Sequence, residues 1–70
     1  MSLIKRSISL SGHRTSIALE PAFWAALEAA AARREVTLAA MVRTIDEGRG
    51  ADEALASALR VFALGEAKDG

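Results

Sequence analysis

Few residues in this chain have side chains able to do covalent chemistry. His13 is the one histidine, cysteine and tyrosine are absent, and serines such as Ser7, Ser9, Ser11, Ser16 and Ser57 have no second base to activate them. A serine attacks only when a positioned base takes its proton and fixed donors receive the oxyanion. No glycine-rich phosphate loop or nucleophile elbow accompanies them, so no catalytic residue is expected and the chain does not read as an enzyme. A single histidine without cysteine does not complete a zinc site. The doublets Asp46-Glu47 and Asp52-Glu53 would point apart on a helix, which suits solvated surface or capping rather than a divalent ion. No metal or cofactor is expected.

The remaining chemistry is recognition by charge. Nine basic and nine acidic residues cancel over the whole chain. Their distribution is polar: residues 1–19 carry Lys5, Arg6 and Arg14 with His13 and no acid, whereas residues 20–70 carry six bases against nine acids. A net charge of zero therefore coexists with a cationic end, as an anionic partner requires.

Seventy residues, of which sixteen are alanine, make a small core, and chains of this size usually need a disulfide, a metal or a second subunit. With the first two removed by composition, a twofold homodimer is the expectation. Charge interrupts the apolar start MSLIKRS, and no run approaches the roughly 20 apolar residues of a membrane span. The reading is a cytoplasmic protein with no membrane partner.

The elements that must position these charges follow from pattern. Residues 3–10 alternate weakly, with Ile4, Arg6, Ile8 and Leu10 on one side, before Ser11-Gly12 interrupts. Residues 14–19 alternate more clearly: Thr15, Ile17 and Leu19 on one face, Arg14, Ser16 and Ala18 on the other. Pro21 suits the first turn of a helix. Good helix formers then run from Ala22 to Arg34, with Phe23, Leu27, Ala30 and Ala31 in register and Trp24 widening the stripe. Thr37 reads as the N-cap of a second helix carrying Leu38, Met41, Val42 and Ile45, which stops at Gly48-Arg49-Gly50. Arg43 and Glu47 form an i, i+4 pair on it. Asp52 reads as the cap of a third helix with Leu55, Ala58, Leu59 and Phe62, and Gly65 onward as a polar tail.

This order gives a mostly α chain with one β-strand. Residues 1–13 form a basic N-terminal segment, either an arm or an extra strand, residues 14–48 the core unit, residues 49–64 an additional C-terminal helix, and residues 65–70 a tail. A lone strand leaves its backbone donors and acceptors unpaired. Ser11-Gly12-His13 would allow a hairpin, but pairing with the same strand of a second chain also answers the shortage of core, and the reading settles on an intermolecular two-stranded antiparallel ribbon.

The segment RTSIALEPAFWAALEAAAARREVTLAAMVRTIDEG, residues 14–48, resembles the ribbon-helix-helix family of small dimeric bacterial regulators, the Arc/MetJ-like group. The wider KRSISLSGHRTSIALEPAFWAAL with the late SALRVF resembles a subgroup of short, uncharacterised bacterial members, and extends the resemblance over nearly the whole chain. What it implies is a homodimer whose paired strands enter the DNA major groove.

On that resemblance the base-contacting positions are Arg14, Ser16 and Ala18, of which Ala18 departs from the polar residue usual there and offers a thymine methyl only apolar contact. Phosphate contacts fall to Thr37 and Leu38 at the start of the second helix, to Arg33 and Arg34 before it, and to Lys5 and Arg6 as a basic arm. Ile17, Leu19, Phe23, Trp24, Leu27, Leu38, Met41, Val42 and Ile45 would form the dimer core. His13 reads as a turn residue. The alternative function is an antitoxin-like or adaptor module that keeps the dimer and uses the C-terminal helix, through Leu55, Leu59, Phe62 and Leu64, to hold a protein partner. The plainer role for that helix is to cover the dimer's own core.

Overall fold

The computed structural model describes residues 2–69, which form two strands and three helices. Strand β1 spans Ile4–Leu10 and β2 spans His13–Leu19. Helix α1 spans Pro21–Arg33, α2 spans Leu38–Gly48 and α3 spans Leu55–Asp69.

The strands pair with each other. They run antiparallel in one two-stranded sheet, with Ile4 opposite Leu19 and Leu10 opposite His13. The one-strand reading is thereby corrected: residues 4–10 are an extra strand, and β2 has an intrachain partner. The cause is local. Ser11 and Gly12 form a two-residue loop with φ of 49° and 85°, the pair of positive angles that a type I′ turn needs to match the twist of the strands it joins. Glycine takes such an angle freely, while Ser11 takes it at a cost.

A lone hairpin is barely stable in water until one face is covered. Here Ile8, Leu10, Ile17 and Leu19 face inward and are buried, joining Trp24, Leu27, Ala30, Ala31, Met41, Val42, Leu59 and Ala63 in one cluster. Leu19, Leu27, Val42 and Leu59 are fully excluded from solvent, each worth about 1.5–3 kcal/mol of transfer free energy. Of the residues expected in a dimer core, Ile17, Leu19, Trp24, Leu27, Met41 and Val42 are buried within this chain, and Phe23, Leu38 and Ile45 pack against them half-buried.

The helix boundaries follow their capping chemistry. Pro21 opens α1. At its end Glu35 adopts φ 55°, and the N–H groups of Glu35 and Val36 return to the carbonyls of Ala32 and Ala31 at 3.1 and 3.0 Å. This is a Schellman closure with glutamate where glycine is usual. Thr37 caps α2 as its side-chain type predicts, its hydroxyl accepting from the Ala40 N–H at 3.0 Å.

Two readings at the C-terminal end are corrected. Asp52 does not cap α3, because Gly50 to Glu53 close a turn of their own and the helix starts at Leu55. Arg49 organises that connection, donating to Asp46 Oδ1 at 2.7 Å and to the carbonyl of Glu53. The tail expected from Gly65 is instead the end of α3, which runs to Asp69 and is held there by Glu66. The Arg43–Glu47 pair does not form among the described residues, whose α2 ion pair joins Arg49 to Asp46.

Helix α3 packs on α1, α2 and β2, and buries Ala58, Leu59 and Ala63. It covers the core of this chain.

Candidate nucleic-acid interface

The strand register decides which residues share the outer face. Lys5 lies opposite Ala18, Ser7 opposite Ser16 and Ser9 opposite Arg14. These six alternate with the inward set, so they project together from the side of the ribbon away from the helices. All are exposed except Ala18, which is half-buried. Residues 4–10 lie beside β2 as a paired strand and leave Arg14 and Ser16 exposed.

The face carries no acidic side chain. Serine and alanine fill its middle, so nothing bulky keeps another surface from the backbone. Lys5 and Arg14 stand toward opposite ends of the ribbon. The Ser7–Ser16 pair supplies hydroxyls that both donate and accept. Of the expected base-contacting residues, Arg14, Ser16 and Ala18 therefore lie together on β2. Ser7 and Ser9 were missed by the sequence reading. Their signal is the Lys5, Ser7, Ser9 alternation, which becomes legible only once the hairpin register is known.

The expected phosphate-contacting residues are scattered, and most are engaged. Arg6 faces inward, opposite Ile17. Its guanidinium carbon lies 4.9 Å from the centre of the Trp24 ring and its Nη1 is 2.7 Å from Glu28. It is a bracket between β1 and α1 rather than an arm, while Lys5 beside it projects outward. Arg33 and Arg34 both hydrogen-bond Glu66 of α3 at 2.8 Å. Those bonds, from Arg34 first and Arg33 second, hold the Glu66 carboxyl down to about 2. Thr37 spends its hydroxyl on the α2 cap. Leu38 is half-buried against the core, leaving only its backbone N–H to offer an anion.

A second ion pair closes the other end of α1, where Arg60 Nε lies 3.0 Å from Glu20 Oε1 and the Arg60 guanidinium carbon is 5.8 Å from the centre of the Phe23 ring. The Glu20 carboxyl is lowered first by its own backbone N–H and then by Arg60. His13, at the start of β2, lines a shallow groove with Leu10, Ser11, Thr15, Asp46, Arg49 and Leu55. Among the described residues no group of His, Cys, Asp and Glu side chains is placed to hold a metal ion, and no helix is long and apolar enough to cross a membrane.

The hairpin's outer face, with Lys5 and Arg14 exposed on it, is thus set on a base of three helices. Neither the curated proteins nor the solved structures include a match to this chain. The family model for the ribbon-helix-helix domain matches residues 3–67, from the first strand to the last turns of α3, and the chain belongs to that family.

Proposed function

We propose that this protein is a homodimeric DNA-binding regulator of transcription that lays its ribbon in the major groove. Ribbon-helix-helix domains generally dimerise and bind DNA. The observation that carries the reading to these residues is the outer face of the hairpin, where Arg14 and Ser16 stand exposed with Lys5, Ser7 and Ser9 and no acid lies in residues 1–19.

The dimer we infer pairs the free edge of β2 with that of a second copy about a twofold axis. Antiparallel pairing in register keeps Arg14, Ser16 and Ala18 of both chains on one face and doubles its charge. The central pair of strands fits a groove about 12 Å wide. The two β1 strands, about 4.8 Å further out on each side, then bring Lys5 over the phosphates. In the groove Arg14 would donate to guanine O6 and N7, and Ser16 would bond either donor or acceptor edges. Leu38 at the start of α2 would offer its N–H to a phosphate. A cytoplasmic location goes with this role.

Fluorescence anisotropy with a mixed-sequence duplex, titrated at several salt concentrations, tests the reading. Binding that weakens steeply with salt and is reduced by Arg14→Ala supports it. No binding at low salt overturns it.

A second reading rests on Val61 and Leu64, which are 61% and 58% exposed on the outer side of α3. In it the same dimer serves as an antitoxin-like or adaptor module and holds a protein partner there. Val61→Glu would then abolish partner binding while leaving duplex affinity unchanged. Equal loss of both would refute a separate protein site.

A further inference from the structure

Arg34 directs one N–H to each carboxylate oxygen of Glu66, both at 2.8 Å, and Arg33 adds a third bond of 2.8 Å to Oε1. Phe62, one turn earlier on α3, supports the Arg34 guanidinium with its ring centre 5.1 Å away. The exposures are unequal: the Glu66 side chain is 17% exposed, against 53% for Arg33 and 45% for Arg34. The two cations are thus open on their outer side, while the anion that neutralises them lies beneath. Ala26, Ala29 and Ala67 complete the surrounding depression with Arg33 and Glu66, so no bulky side chain among these covers the pair.

A planar guanidinium binds a phosphate with the same fork it presents to a carboxylate, and two adjacent arginines make a strong phosphate clamp. Nothing in the folding of α1 requires two consecutive arginines at its end, since the backbone closure there is made by Glu35 and Val36 N–H groups. We propose that Arg33 and Arg34 form a phosphate-binding site occupied in cis by Glu66, so that α3 acts as an internal competitor that lowers the affinity of the chain for a nucleic-acid backbone. The inference rests on the DNA reading above and supplies its regulation.

The competition has a definite physical form. A carboxylate carried on the same chain acts at a high effective concentration, so free inorganic phosphate does not displace it. A duplex already held by the ribbon presents its phosphates at a similarly raised local concentration and competes on equal terms. Any change that draws α3 away, or neutralises Glu66, turns a cluster of net charge +1 into one of +2. Every further phosphate that the protein neutralises steepens the salt dependence by about 0.9 in log–log slope. The gain of one net positive charge therefore adds about 0.9 to the slope, and about a three- to tenfold increase in affinity near 0.1 M salt.

The test is duplex anisotropy across a salt series with wild type, Arg14→Ala, Glu66→Gln, and Glu66→Gln combined with Arg33→Gln and Arg34→Gln, each checked for folding by thermal melting. The expected result is tighter binding and a steeper slope for Glu66→Gln, with the increase abolished in the combined variant. Wild type that binds and is weakened by Arg14→Ala, alongside Glu66→Gln with unchanged affinity and slope, overturns the competitor while leaving the DNA reading intact. No binding by wild type or by Glu66→Gln overturns both. Should Glu66→Gln fail to fold, Glu66→Asp carries the test: its shorter reach loosens the clamp, so a smaller increase supports the proposal and no increase overturns it.

Discussion

The indole Nε1–H of Trp24 donates to the backbone carbonyl of Ile4 at 2.8 Å, which ties the first residue of β1 to the first turn of α1. Trp24 is only 2% exposed, and Arg6 lies across its ring while reaching Glu28. One side chain thus serves as core, as hydrogen-bond donor and as platform for a cation. The ribbon is therefore fixed to the helical base at the end opposite its turn.

Trp24→Phe keeps most of the packing and removes the donor. The expected loss is about 1–2 kcal/mol, the cost of a hydrogen bond and an unsatisfied partner, whereas Trp24→Ala costs about 3–5 kcal/mol. Urea unfolding followed by circular dichroism separates the two. A Trp24→Phe variant as stable as wild type would mean that the indole N–H contributes nothing.

Two positive-φ positions should respond with opposite signs. Gly12 sits at φ 85° with no atom within 4 Å of where a Cβ would lie, so Gly12→Ala carries only conformational strain and should destabilise by about 1 kcal/mol. Glu35→Gly relieves the left-handed residue in the α1 closure and should stabilise by about 0.5–1 kcal/mol. Thermal melts of the two variants decide the matter, and a shift of the same sign in both would contradict it.

Removing the α2 cap should weaken folding whether or not DNA is bound. Thr37→Ala leaves the Ala40 N–H without its acceptor, at an expected cost of about 1 kcal/mol, and Thr37→Ser should restore most of it. The check is the melting temperature without DNA. A purely DNA-contacting role would leave that temperature unchanged.

Acid should undo the α1–α3 clasp. The Glu66 carboxyl falls from the ordinary 4.5 to about 2 on folding, chiefly through Arg34 and then Arg33. A lowered folded-state value means that the contribution is complete above 4.5 and is lost as pH falls toward 2. Melting temperature should therefore drop over that window in the wild type and drop less in Glu66→Gln. Parallel curves would show that Glu66 contributes no linkage.

The helices were legible because their boundaries are chemical. Pro21 and Thr37 mark their starts whatever the tertiary context, and the alternation of Thr15, Ile17 and Leu19 marks one strand. The other strand was obscured by Arg6, a cation in the inward-facing row, which is explicable only through Trp24 and Glu28. The hairpin was obscured by Ser11, since a positive φ at serine leaves no mark in the residue type. The outer face was half legible: Arg14, Ser16 and Ala18 followed from alternation, but Ser7 and Ser9 needed the register. The Arg33–Arg34–Glu66 cluster was invisible because it joins residues more than thirty positions apart.

The two-residue Ser11-Gly12 loop also sets the order of events in folding. Each strand finds its partner across the shortest connection a hairpin uses, a step that takes about 1–10 μs, and the pairing is available to a single chain. In the proposed dimer, association between copies would then be the docking of finished edges rather than a search in which each chain must borrow a strand in order to fold. Folding should proceed at a rate independent of concentration, and dilution should separate the subunits without melting them.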